Sequence, residues 1–114
     1  MALDSGALSG AWTADTYDTW EDGSVLKTIF RGERFTETLA RVEEIERITA
    51  RDYDGLDEAA VRFVLDDPAV STAIVGMTSE RRIARNLSFA DGRGLADGLH
   101  ERLAGFEWRR NFYV

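Results

Sequence analysis

The stretch Val70-Ser71-Thr72-Ala73-Ile74-Val75-Gly76-Met77-Thr78-Ser79-Glu80 decides how this chain is read. The run over 70–75 is short, apolar and β-branched, the pattern of a buried strand, and Gly76 ends it. Thr78 or Ser79 then caps a helix over 80–90, with Ile83, Leu87 and Ala90 on its inward face. A strand feeding a capped helix through a small hydroxyl-bearing loop leaves backbone N–H groups free at the positive end of a dipole. Phosphate binds at such a place. Arg82 and Arg85 lie three apart on one face near that start. Arginine suits bidentate phosphate contact and stacking on a base. Plainer duties fit the same residues: an N-cap for Thr78 or Ser79, and a solvated face for the arginines.

Upstream, Pro68 stops a helix over 57–66. Ala59, Ala60, Val61, Phe63, Val64 and Leu65 make that helix apolar almost all round, the mark of a buried element. A further helix over 36–51 carries Leu39, Val42, Ile45 and Ile48 on one side and Arg41, Glu43, Glu44 and Arg47 on the other. Thr36 is its expected N-cap. Residues 1–35 read as a loop-rich segment containing Trp12, Tyr17 and Trp20. These aromatics either cover a ligand or pin the loop to its own core. Downstream, Asp91-Gly92-Arg93-Gly94 is a break. Leu95, Leu99, Leu103 and Phe106 then mark a last helix, and an aromatic tail from Trp108 to Val114 is expected to dock rather than fray.

Composition bounds the function. The 114 residues carry 21 acidic and 14 basic side chains and a net charge of -7. This balance disfavours nucleic acid, which rewards a basic face. The length fits a single domain, and 44% hydrophobic content suffices for a core. No apolar run approaches the roughly 18–20 residues of a membrane-spanning helix. Met1-Ala2-Leu3-Asp4 lacks a basic start and a long apolar stretch, so no signal peptide is expected and the cytoplasm is the expected location. There are no cysteines, which excludes disulfides, thiol catalysis and cysteine–zinc sites. Asp52, Asp54, Asp57 and Glu58 fail the spacing of a calcium loop, so no metal site is expected. Asp15, Asp18, Glu21 and Asp22 read as a solvated acidic loop.

Four segments, in order, resemble the C-terminal part of an aldo-keto reductase. Ala2-Leu3-Asp4-Ser5-Gly6-Ala7-Leu8-Ser9-Gly10 is similar to the stretch that follows the family's seventh barrel strand. Residues 61–76, Val-Arg-Phe-Val-Leu-Asp-Asp-Pro-Ala-Val-Ser-Thr-Ala-Ile-Val-Gly, resemble its next helix and eighth strand. Residues 77–86 resemble its dinucleotide-phosphate motif, and Trp108-Arg109-Arg110-Asn111-Phe112-Tyr113 resembles the ending of one bacterial branch.

The resemblance implies a carbonyl oxidoreductase that uses NADP(H). It implies that the backbone around Leu3, Ser5, Gly6, Leu8 and Gly10 cradles the pyrophosphate. It further implies that Thr78, Ser79 and Arg82 meet the adenosine 2′-phosphate, that Asn86 contacts the adenine, and that Gly76 belongs to the same cofactor-binding set. Arg85 stands where many members carry a glutamate, and could stack on the base or add a phosphate contact. Ala2 replaces the usual proline of the first motif. The family's catalytic Asp, Tyr, Lys and His belong to earlier barrel strands, and no counterpart is carried over. Lys27 and His100 are the single lysine and histidine, and nothing in their spacing brings them to Tyr17 or Tyr53.

The expected fold is therefore α/β tending to mainly α: a partial (β/α) barrel of the last two βα units plus terminal helices. A full barrel takes about 250 residues. Two strands alone leave open edges, so self-association or a partner barrel subunit is expected to complete the sheet. Three functions follow as expectations. One is a subunit or remnant of an NADP(H)-dependent carbonyl oxidoreductase without its own tetrad. Another is a small non-redox isomerase, cyclase or lyase, with Trp12, Tyr17 and Trp20 lining a pocket and loop carboxylates or His100 as acid and base. The third is a non-catalytic interaction protein.

Overall fold

The computed structural model describes residues 1–107. The expected docking of the tail over 108–114 lies outside the described residues. Among the described residues five α-helices succeed one another: α1 (Val25–Ile29), α2 (Glu33–Thr49), α3 (Leu56–Asp66), α4 (Glu80–Ser88) and α5 (Leu99–Ala104). Two 3₁₀ segments, Asp4–Ser9 and Thr16–Thr19, precede them.

The partial barrel does not form. Among the described residues there is no strand, and the α/β expectation is corrected to an all-helical fold. Residues 72–78 have no regular structure and pair with no strand, and Ile74 is 92% exposed. A ladder needs a second strand, and the first-motif segment cannot supply one. It coils into 3₁₀ turns, with Asp4, Ser5 and Gly6 at φ +47°, +58° and +103°. A β-branched run without a partner strand forms no ladder: Val70, Ala73 and Val75 are only half-buried, and Thr72 and Ile74 are exposed.

The helices follow from local chemistry. Ser24 caps α1 by accepting from the Lys27 N–H at 3.3 Å. α2 begins three residues before the expected cap. Gly32, at φ +64°, turns the chain, and Thr36 lies inside the helix. Gly55 is the N-cap of α3, which places Asp57 and Glu58 in its first turn, where the helix dipole favours negative charge.

The core has two centres. Ala7, Val42 and Leu56 meet where the first 3₁₀ segment, α2 and α3 pack together. Phe30, Phe35 and Leu39 form the other, against Trp12, Tyr17, Trp20, Leu26 and Ile29. The three loop aromatics therefore pin the N-terminal segment to its own core. Trp12 meets Phe30 at 4.9 Å between ring centroids, and Trp20 meets Phe35 at 5.7 Å, both edge-on. Burying these rings is what lets 35 residues with so little regular structure hold a defined path.

Candidate functional site

The site expected at α4 is partly assembled. Ser79 caps the helix, its Oγ accepting from the Arg82 N–H at 3.3 Å. Arg82 Nη1 donates to Thr78 Oγ1 at 3.4 Å. Gly76, Thr78, Ser79 and Arg82 are all exposed. Two hydroxyls, a guanidinium and the positive end of a nine-residue helix thus face solvent together. That donor set suits a phosphate monoester.

Arg85 and Asn86 are committed elsewhere. Arg85 makes a two-pronged ion pair with Asp57, Nε to Oδ2 at 2.6 Å and Nη2 to Oδ1 at 2.7 Å. That pairing raises the Arg85 guanidinium further above its ordinary value, against the opposing effect of burial. Burial pushes the Asp57 carboxyl up, but the Arg85 hydrogen bonds and charge outweigh it and leave the group below the ordinary carboxylate value. Asn86 is buried, and its Nδ2 donates to the Gly76 carbonyl at 3.1 Å. It positions the loop that carries Thr78 and Ser79 and presents no amide to an adenine. Gly55 makes room for the Arg85 clamp: a Cβ there would strike Arg85 Nη2.

The expected pyrophosphate cradle is spent internally. The N–H groups of Gly6 and Leu8 both donate to the Leu3 carbonyl, at 2.9 and 3.2 Å. Ser9 Oγ donates to the Gly6 carbonyl at 2.6 Å. Gly6 backs onto the Trp12 indole, and Gly10, at φ +76°, passes beside Leu56. Thr78, Ser79 and Arg82 therefore form a donor set that suits a phosphate monoester. The chain offers no free amide cradle from Gly6 and Leu8.

The inward face expected for α4 is reversed. Ile83 and Leu87 are exposed, Leu87 by 61%, and Ala90 is exposed beyond the helix end, whereas Asn86 and Phe89 are buried. The Arg85–Asp57 clamp sets the rotation of the helix and leaves its apolar stripe outward.

Sequence reading missed Arg62. Only 5% exposed, it lies on the helix read as apolar. Its Nη1 and Nη2 reach Asp91 at 2.7 and 3.0 Å, and its Nε reaches Glu58 at 2.9 Å. These bonds, Asp91 first, push the guanidinium above its ordinary range against the cost of burial. In return Arg62, with the Arg93 backbone N–H, holds the Asp91 carboxyl well below the usual carboxylate range. Glu58, four residues before Arg62, was a signal for one partner. Asp91 is 29 residues away and gave none.

Lys27 does approach Tyr17, contrary to the spacing argument. Its Nζ pairs with Asp22 at 2.7 Å and lies 5.5 Å from the Tyr17 ring centroid, over the ring rather than beside the hydroxyl. That hydroxyl donates to the Lys27 carbonyl at 3.5 Å. His100 belongs to another part of the molecule, stacked on Phe63 at 4.8 Å with Nδ1 3.4 Å from Asp66. Among the described residues no three histidine or carboxylate side chains gather as metal ligands would, and no helix is long and apolar enough to cross a membrane.

A cavity of about 510 Å³ lies between α2, α3, α5 and the first 3₁₀ segment. Thr38 lines it and was not singled out from the sequence. None of Trp12, Tyr17 and Trp20 lines this cavity.

No family model, no curated protein and no solved structure matches the chain.

Proposed function

We propose that this chain is an NADP(H)-binding, non-catalytic subunit or remnant of a carbonyl oxidoreductase, related by its motifs to the aldo-keto reductases. The observation that carries the reading is the exposed Thr78–Ser79–Arg82 group at the start of α4, with Arg82 held against Thr78. These residues recognise the 2′-phosphate of the adenosine, the one feature that separates NADPH from NADH. Chemistry comes from a partner chain. The outward stripe of Ile83 and Leu87 supports association, because paired exposed aliphatics on one helix face gain by being covered. When bound, the cofactor supplies hydride transfer, and the residues here hold its phosphate end.

Titration with NADPH and with NADH, followed by native mass spectrometry, tests the proposal. NADPH is expected to bind at least about tenfold tighter than NADH, as one charge-assisted contact to the extra phosphate requires. Arg82→Ala is expected to erase the difference while α4 stays folded. Absence of NADPH binding at millimolar cofactor overturns the proposal. If self-association is retained in that case, a non-catalytic interaction protein is the outcome.

A further inference from the structure

Aspartate is followed by glycine four times in this chain: Asp22-Gly23, Asp54-Gly55, Asp91-Gly92 and Asp97-Gly98. A glycine at the next position leaves its backbone nitrogen open to the aspartate side chain, because no Cβ blocks the approach. Two of the four pairs sit in the same kind of turn. The Ser24 N–H donates to the Glu21 carbonyl at 3.1 Å around Asp22-Gly23, and the Leu99 N–H donates to the Ala96 carbonyl at 3.1 Å around Asp97-Gly98. Their glycines take φ +79° and +74°, and positive φ at the third turn position calls for glycine. The two turns differ in the carboxylate. Asp22 is paired with Lys27 at 2.7 Å. Asp97 is exposed, and among the described residues neither its carboxylate nor the Gly98 N–H has a hydrogen-bond partner. The other two pairs are held more firmly. Arg62 takes both oxygens of Asp91 at 2.7 and 3.0 Å, and the Arg93 N–H donates to Oδ1 at 3.0 Å. Gly55 is wedged, with Arg85 and the Asp57 carboxylate filling the space beside its Cα.

We infer that Asp97-Gly98 is a self-modification site, where the backbone rearranges to an isoaspartyl linkage, and that the fold guards the other three pairs against the same reaction. In the first step the Gly98 amide nitrogen forms a bond to Cγ of Asp97 and loses its proton. The Cγ–OH bond breaks, and the hydroxyl leaves with that proton as water. Water then reopens the five-membered imide. Opening at the Asp97 backbone carbonyl routes the chain through Cγ and frees the α-carboxylate, whereas opening at Cγ restores aspartate. One water leaves and one returns, with no change of oxidation state. The ring closes from a carboxyl that is neutral and free to turn. Lys27 and Arg62 oppose both conditions, because a carboxylate held by a cation keeps its charge and its direction. At Asp54 the obstacle is the backbone: swinging the Gly55 nitrogen toward the side chain drives Gly55 against the Arg85–Asp57 clamp. The isoaspartyl linkage adds one backbone atom to the turn before α5, whose Leu99 is 1% exposed, and so draws that anchor from its seat. This inference stands apart from the nucleotide reading, since none of Thr78, Ser79 and Arg82 takes part.

Incubation of the intact chain in heavy-oxygen water at neutral pH, followed by peptide mapping with electron-transfer fragmentation, reads each site separately. Every passage through the imide leaves one heavy oxygen, and the isoaspartyl linkage gives its own fragments. Asp97 is expected to react about threefold or more faster than Asp22 and at least about tenfold faster than Asp91, since each unit by which a pKa falls removes about tenfold of the neutral acid. Concentrated urea is expected to abolish the spread and bring the four rates together. Lys27→Gln removes an exposed pair, keeps the helical circular dichroism, and is expected to raise the Asp22 rate to that of Asp97. Arg62→Met is expected to raise the Asp91 rate and leave Asp97 unchanged. A folded chain in which another of the four reacts as fast as Asp97, or in which Asp97 does not react, overturns the inference. So does the same ranking in urea, or an unchanged Asp22 rate in Lys27→Gln.

Discussion

Around Phe30, five rings close on one another with centroids 4.9–5.9 Å apart, and shape holds the segment in place. Around Arg62, the chain is tethered by direction. Arg62 grips Asp91 and Glu58, Asp66 accepts from the Leu95 N–H at 3.1 Å, and the Tyr53 hydroxyl accepts from the Ala96 N–H at 2.8 Å. The N-terminal region buries apolar surface with little regular structure. The C-terminal region has helices but secures its loops through polar bonds that reach 29 and 43 residues along the chain. Apolar contacts survive small shifts and changes of pH. Polar tethers fix a geometry and fail one by one.

Phe30→Ala should separate the regions most strongly. Phe30 is fully buried, and truncating such a ring costs about 3–5 kcal/mol. Chemical denaturation followed by tryptophan fluorescence measures it, and a loss under about 1 kcal/mol would refute the role given to the ring cluster. Arg62→Met keeps the volume and removes the tethers. It is expected to cost about 2 kcal/mol, with faster amide exchange confined to residues 89–97. Uniform acceleration over the whole chain would show that the regions are not separable.

Acid should act more gently on the same tethers. Asp57 and Asp91 both have native pKa values held down by arginine. Their contribution is fully present above the ordinary carboxylate pKa of about 4 and is lost as pH falls through the depressed native values. Amide exchange at decreasing pH is expected to loosen the loops after α3 before the ring cluster. The reverse order would count against the contrast. Gly94→Ala should cost about 1 kcal/mol. Gly94 sits at φ +63°, and a Cβ there meets the Asp66 carboxylate that holds Leu95. Asp22→Asn should leave Tm nearly unchanged, because the Asp22 carboxylate is 97% exposed and meets Lys27 from the solvent side.

The elements that could be read from the sequence are those whose signals are local. α3 and α4 fall where periodicity and Ser79 placed them, and Pro68 follows α3 as expected. Signals that depend on a distant partner were misread. The β-branched run at 70–75 satisfied every local rule for a strand and lacked only a neighbour. The face of α4 followed its clamp to Asp57 rather than its own amphipathicity. Thr78, Ser79 and Arg82 stay exposed, since their contacts with one another lie within four residues. Arg85 and Asn86 do not, since Asp57 and the Gly76 carbonyl claim them.

The ring cluster has an optical consequence. Trp12 and Trp20 lie 5.1 Å apart at 67°. Two indoles held so close and so inclined sit in a fixed, asymmetric surrounding and give a near-ultraviolet circular dichroism signal. That signal originates in the apolar region, whereas the far-ultraviolet helical signal is drawn largely from α2, α3 and α4. The molecule thus carries two built-in gauges, one for each way it is held together.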